Sequence, residues 1–187
     1  MKDKGFTLIE LVVVIAIISI LSTVFLTNYR GGDSEFSLKR SAHKLAQDIR
    51  SIQEKSIATK EFKGEFQGGF GIYLTEGSNQ YVLFVDCNGD GIYNGSLLSC
   101  SDCTGGSCIE NRYTEEIETL SFEEGVSVST ISSSGGNFFV VFNPPDPTVT
   151  FTPDDTEVSI NLQAQVAGSP KNKTVKLNKA GLISVLQ

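Results

Sequence analysis

The sequence predicts an α+β protein: a long N-terminal helix, first apolar and then amphipathic, packed on an antiparallel β-sheet head. Three observations support this reading. Phe6 to Leu26 is a 21-residue apolar run with Glu10 as its one ionisable side chain. Leu38, Ala42, Leu45, Ile49 and Ile52 then recur at three- or four-residue spacing. From Gly64 onward the chain breaks into short β-branched and aliphatic runs between Gly, Pro, Asn and Asp. With 187 residues there is room for one domain plus an anchor. A net charge of −7 argues against a dedicated nucleic-acid binder, which needs clustered Lys and Arg, and a single His, His43, leaves little for acid-base chemistry.

At about 1.5 Å rise per residue, the apolar run covers roughly the 30 Å hydrocarbon core of a bilayer and can span it once. Lys2 and Lys4 on the short flank favour that end staying in the cytoplasm, an N-in, C-out orientation. A secretory signal peptide would have an apolar core of only about 7 to 15 residues ending in a small-x-small cleavage site. A plain signal anchor leaves Glu10 unexplained, because an acidic group at membrane depth costs on the order of 2.5 to 3.5 kcal/mol unless it finds a partner. Glu10 asks for a cation.

Arg30-Gly31-Gly32-Asp33-Ser34 then interrupts the pattern. Two glycines, each lowering helix propensity by about 1 kcal/mol relative to Ala, predict a hinge or local melt. Ser34 is the expected cap of a second, amphipathic segment running from Glu35 to about Lys60. His43 falls on its polar side, where a solvated position is the expectation. Strand spacing follows at Phe70–Leu74, Tyr81–Val85, Glu118–Phe122, Val126–Ile131, Phe138–Phe142, Thr148–Phe151, Glu157–Leu162, Thr174–Leu177 and Leu182–Val185. Asn178-Lys179-Ala180-Gly181 reads as the turn of a C-terminal hairpin.

Two features of the head carry chemistry. Asp86-Cys87-Asn88-Gly89-Asp90-Gly91-Ile92-Tyr93-Asn94 sets oxygen side chains at positions 1, 3, 5 and 9 of a loop, with Gly at position 6. That is calcium-loop spacing, to which the Ile92 carbonyl can add a ligand. The twelfth position is Leu97 instead of a bidentate Glu, so a cation needs a carboxylate from elsewhere, with Glu115 and Glu116 as candidates. The competing reading is a plain Gly-Asn-Asp turn whose side chains bond their own backbone. Calcium is the one cofactor the sequence suggests.

Cys87, Cys100, Cys103 and Cys108 fall within 22 residues. An even number on the exported side of a membrane points to two disulfides that staple a loop, Asn94 to Asn111, too poor in apolar area to order itself. Zinc is the rival, but gaps of 12, 2 and 4 residues are unlike paired C-x-x-C knuckles. The pairing stays open: Cys87 must reach one of the later three, and if it takes Cys108, the other bridge is Cys100 to Cys103.

The residues GFTLIE at positions 5 to 10, running directly into the apolar helix, closely resemble the N-terminal signal of type IV pilins and type II secretion pseudopilins. The resemblance implies that a prepilin peptidase cuts between Gly5 and Phe6 and methylates the new amine of Phe6. It further implies that Glu10 pairs with the N-terminal amine of a neighbouring subunit, which supplies the missing cation. Opposite charges attract strongly at low dielectric, while either alone is costly to bury. The chain then divides into a leader (residues 1–5), a transmembrane and filament-core helix (6–29), an amphipathic helix with a hinge (30–63) and a pilin-like, β-rich exported head (64–187). The order of a helix, GGFGIYL, YVLFVDCNGDGIYNG and a late TVKLNKAGLISV hairpin is similar to the H group of minor pseudopilins.

By this resemblance the chain is a structural subunit of a type IV pilus or type II secretion pseudopilus. It is held in the inner membrane before assembly into an extracytoplasmic filament, with other subunits, an assembly platform protein and an assembly ATPase as partners. A large cysteine-rich loop and a head of this size favour a minor subunit. Two other classes compete. A tip-located adhesin or DNA receptor would use Lys171, Lys173, Lys176 and Lys179, the one basic cluster of the head, although lysines on a hairpin edge also discourage edge pairing. An anchored hydrolase lacks a base for any nucleophile, since His43 lies on the stalk and no G-x-S-x-G or metal-His motif accompanies it. No enzymatic role is expected.

Overall fold

The computed structural model describes residues 5–58, 61–62, 65–66, 69–95, 99–104, 107–133, 135–144, 148–164 and 170–186, with the side chains of 24–32, 61–66, 99–113 and Thr148 outside that description. Helix α1 (Leu8–Ile57) opens at Thr7, whose extended backbone (φ −83°, ψ 149°) makes it the N-cap. Thr7 and Glu10 form a reciprocal capping box: Glu10 N–H donates to Thr7 Oγ1 (3.4 Å) and Thr7 N–H to Glu10 Oε2 (3.0 Å). The helix closes at Ala58, whose N–H donates to the Glu54 carbonyl (2.9 Å), with Lys55 in the last turn complementing the helix dipole.

The interruption expected at Gly31-Gly32 is absent, and α1 runs unbroken through it. Ser34 is a mid-helix residue, not a cap. The glycines cost about 2 kcal/mol together, but a break there would create two further helix ends, each with four backbone groups in need of partners. Continuing is cheaper when apolar residues precede the pair and a packed stripe follows it. Among the described residues, no helix is long and apolar enough to cross a membrane. The described apolar side chains stop at Thr23, so Leu26, the expected end of the span, lies outside them.

Two short hairpins and two antiparallel sheets follow. The hairpins are β1 (Glu61–Phe62) with β2 (Glu65–Phe66), and β5 (Ser99–Thr104) with β6 (Ser107–Thr114). A five-stranded sheet has the order β10 (Thr148–Thr152), β9 (Asn137–Asn143), β3 (Gly69–Thr75), β4 (Gln80–Asp86), β7 (Glu116–Ser121). A four-stranded sheet has the order β13 (Ile183–Leu186), β12 (Lys171–Asn178), β11 (Glu157–Ala164), β8 (Val126–Ile131). All nine strands expected from spacing occur; the two hairpins were not anticipated.

The C-terminal half of α1 lies against both sheets, touching β3 and β9 of the larger and β8, β11, β12 and β13 of the smaller. Its predicted stripe, Leu38, Ala42, Leu45, Ile49 and Ile52, is at most 1% exposed. Alternation sends Phe70, Ile72 and Leu74 of β3 and Phe138, Val140 and Phe142 of β9 into the same core, with Val158, Ile160 and Leu162 arriving from β11. Polar contacts fix the helix's rotation: Tyr81 Oη donates to Asp48 Oδ2 (2.5 Å), and Ser56 Oγ donates to the Phe142 carbonyl (2.6 Å). The outer face of the larger sheet carries a second, aromatic layer. Gly71 sits opposite Phe84, and a Cβ there would lie 2.5 Å from the Phe84 ring and 2.7 Å from the Val140 carbonyl oxygen. Only glycine leaves room for that ring over the strand.

Candidate functional site

Two regions carry the residues singled out by sequence. At the N-terminus, Gly5, Phe6 and Thr7 are non-helical and exposed, Phe6 at 86%. The Gly5–Phe6 bond thus lies in accessible backbone just before the helix cap. Beyond it Leu8, Ile9, Leu11, Val12, Val13, Val14, Ile15, Ile17, Ile18, Ile20 and Leu21 are all about half exposed or more, an apolar rod with no cover in the single chain. Two of its hydroxyls are satisfied internally: Ser19 Oγ donates to the Ile15 carbonyl (2.8 Å) and Thr23 Oγ1 to the Ser19 carbonyl (2.9 Å). Glu10 accepts from both the backbone N–H and the hydroxyl of Thr7, the latter at 2.9 Å. Sequence reading missed Thr7, although T-x-x-E before an apolar run is the capping-box signal.

The second region is the loop that leaves β4. Asp86 is 2% exposed, and its two carboxylate oxygens accept from Gly89 N–H (2.8 Å) and Gly91 N–H (2.9 Å). Gly89 and Gly91 both hold positive φ, 75° and 74°, which the sharp reversal requires. Asn88 Oδ1 accepts from Asp90 N–H (3.1 Å), and Asp90 Oδ1 from Ile92 N–H (2.8 Å). Asp90 Oδ2 accepts from the side-chain amides of Asn88 and Asn94, each at 2.8 Å. Tyr93 folds back over the outer face of the sheet, with ring centroids 5.5 Å from Phe84 and 5.6 Å from Tyr73.

Of the two carboxylates expected from elsewhere, both touch the loop but only one is buried against it. Glu115 is 1% exposed, and its Oε2 accepts from Asn94 N–H (2.9 Å). Glu116 is exposed and instead accepts from the Tyr93 hydroxyl (2.9 Å). Burial raises the Glu115 pKa against the pull of the Asn94 and Cys87 amides, and the charges of Asp86 and Asp90 add to the rise. Burial likewise raises that of Asp86 against the pull of the Gly91 and Gly89 amides. Asp90 is lowered: its modest burial is outweighed by the Asn94, Ile92 and Asn88 donors. Among the described residues, no three His, Cys, Asp or Glu side chains form a metal cluster by themselves. A cation here would need the Asn oxygens and the Ile92 carbonyl as well.

Cys87 is disulfide-bonded. The side chains of Cys100, Cys103 and Cys108 lie outside the described residues, but the backbone register of β5 and β6 sets Cys103 opposite Cys108 and Cys100 opposite Tyr113. In the basic cluster, Lys171 pairs with Glu35, Lys176 with Glu157 (2.7 Å) and Lys179 with Asp154 (2.5 Å). His43 is exposed on α1, as expected.

Residues 1–26 match the family described as the prokaryotic N-terminal methylation motif, the signal of type IV pilins and pseudopilins. No curated protein and no solved structure gives a significant match to the chain.

Proposed function

We propose that the chain is a minor pilin or pseudopilin, cut between Gly5 and Phe6, methylated on Phe6 and assembled into a type IV pilus or type II secretion pseudopilus through α1. The match of residues 1–26 to the N-terminal methylation motif carries this reading. The uncovered apolar rod ahead of a packed head supports it, because such a surface needs lipid or neighbouring helices around it. In this reading the rod, extended through residue 29, spans the inner membrane N-in and C-out before assembly, and the head faces outward. Glu10 then pairs with the amine of a neighbour's Phe6. The order of the head's elements suits the H group of minor pseudopilins.

Mass spectrometry of filaments sheared from native cells tests it. A peptide beginning at N-methylated Phe6, scarce beside another subunit, is the expected result. The same peptide as the dominant species would make this a major pilin, and an intact Met1 would remove the prepilin assignment.

A further inference from the structure

We propose that the Asp86–Asn94 loop and Glu115 together form a calcium site, with Glu115 supplying from β7's leading edge the carboxylate that position 12 of the loop lacks. The inference does not depend on the filament reading. The loop by itself would not carry it, since its internal bonds equally suit a plain turn. Glu115 separates the two. Its side chain is buried beside the loop, one oxygen held by Asn94 N–H, while Oε1 is buried with no hydrogen-bond partner. A buried carboxylate oxygen without a partner is costly, and a turn gives no reason to put it there.

The arrangement of donors points to a cation at the centre. The side-chain amide of Asn94 donates to Asp90 Oδ2 (2.8 Å) and lies 3.4 Å from the Ile92 carbonyl oxygen. Its NH2 group therefore serves two of the oxygens that loop positions 5 and 7 would offer a metal. Turning that amide over replaces the NH2 with Oδ1 and converts a donor into a further ligand. The set becomes Asp86, Asn88, Asp90, the Ile92 carbonyl, Asn94 and Glu115: six oxygen sources, three of them carboxylates. Hard oxygen ligands of mixed type, including a backbone carbonyl, suit the flexible coordination of Ca2+ better than the strict, water-retaining octahedron of Mg2+. A dication also offsets the mutual repulsion of three carboxylates.

The test is calorimetric titration of the full-length chain in detergent, stripped with EGTA, against CaCl2 and separately MgCl2. The expected result is one Ca2+ per chain, with a Kd of about 10⁻⁵ to 10⁻³ M, and no comparable Mg2+ binding. Glu115→Gln should weaken Ca2+ binding by roughly tenfold or more, since charged-ligand count sets affinity in such loops. Asp90→Asn, at an exposed position, should do the same and keeps the test decisive if Glu115→Gln fails to fold. Glu116→Gln should bind as the parent does. Absence of saturable Ca2+ binding, equal Mg2+ binding, or parental Ca2+ affinity in Glu115→Gln or Asp90→Asn would overturn the site.

Discussion

Tyr81 shows how one side chain ties the stalk to the head. Its ring is buried against Phe122, and its hydroxyl reaches Asp48 on α1. Burial, then the hydrogen bond and charge of Asp48, raise its pKa far above the usual tyrosine value. The unfolded chain releases this proton near pH 10, whereas the folded chain keeps it, so the unfolded state binds fewer protons above that point. Stability from this group is complete below about pH 10 and falls as pH rises beyond it. Tyr81→Phe should lower head stability at neutral pH by about 1 kcal/mol and flatten the alkaline decline, read from thermal melts between about pH 8 and 11. An unchanged alkaline slope would show that other groups set it. Residues of this kind were partly legible: Tyr81 was placed on a strand by spacing, but its partner on α1 required the packing of helix on sheet. Glu115 was among the candidate carboxylates, and only the fold decides between it and its exposed neighbour Glu116.

At the scale of elements, apolar periodicity was the readable signal. The stripe on α1 and most of the nine sheet strands follow from it because they bury at least one face, β7 being the strand whose residues are all exposed or half-buried. Where another force holds an element, periodicity is silent. Hairpin β5–β6 is mostly Ser, Cys, Thr and charged or amide residues, and Ile109 and Tyr113 alone are too few to betray it by apolar alternation. The β1–β2 hairpin left a fainter trace, the repeated Glu-Phe on either side of Lys63-Gly64, which is a two-residue turn pattern. The helix break was misread for the opposite reason: local glycine propensity lost to the cost of two extra helix ends. Register also bears on the open cysteine pairing. With Cys103 opposite Cys108 across β5–β6, the natural partner left for Cys87 is Cys100. Non-reducing proteolysis and mass spectrometry should return Cys87–Cys100 and Cys103–Cys108 peptides; Cys87–Cys108 with Cys100–Cys103 would refute this order.

Over the whole molecule, the two ends of α1 live in different surroundings: one is enclosed by sheets, the other is bare. Glu10 sits in the bare half, where it caps its own helix and, on the proposed function, also pairs with a neighbour. Glu10→Gln keeps an oxygen that Thr7 can donate to but removes the charge. Breaking a buried ion pair costs about 3 to 5 kcal/mol, so the variant's share in sheared filaments relative to membranes should fall more than about tenfold, with cleavage after Gly5 intact. Parental incorporation would reduce Glu10 to a helix cap. The hydroxyls of Ser19 and Thr23 add a final consequence. Because each is bonded to a carbonyl four residues back along the same helix, neither of these two groups asks anything of water. Moving the rod from lipid into a bundle of like helices would then exchange one set of dispersion contacts for another without breaking either of these two bonds, leaving shape and charge register to decide where it stops.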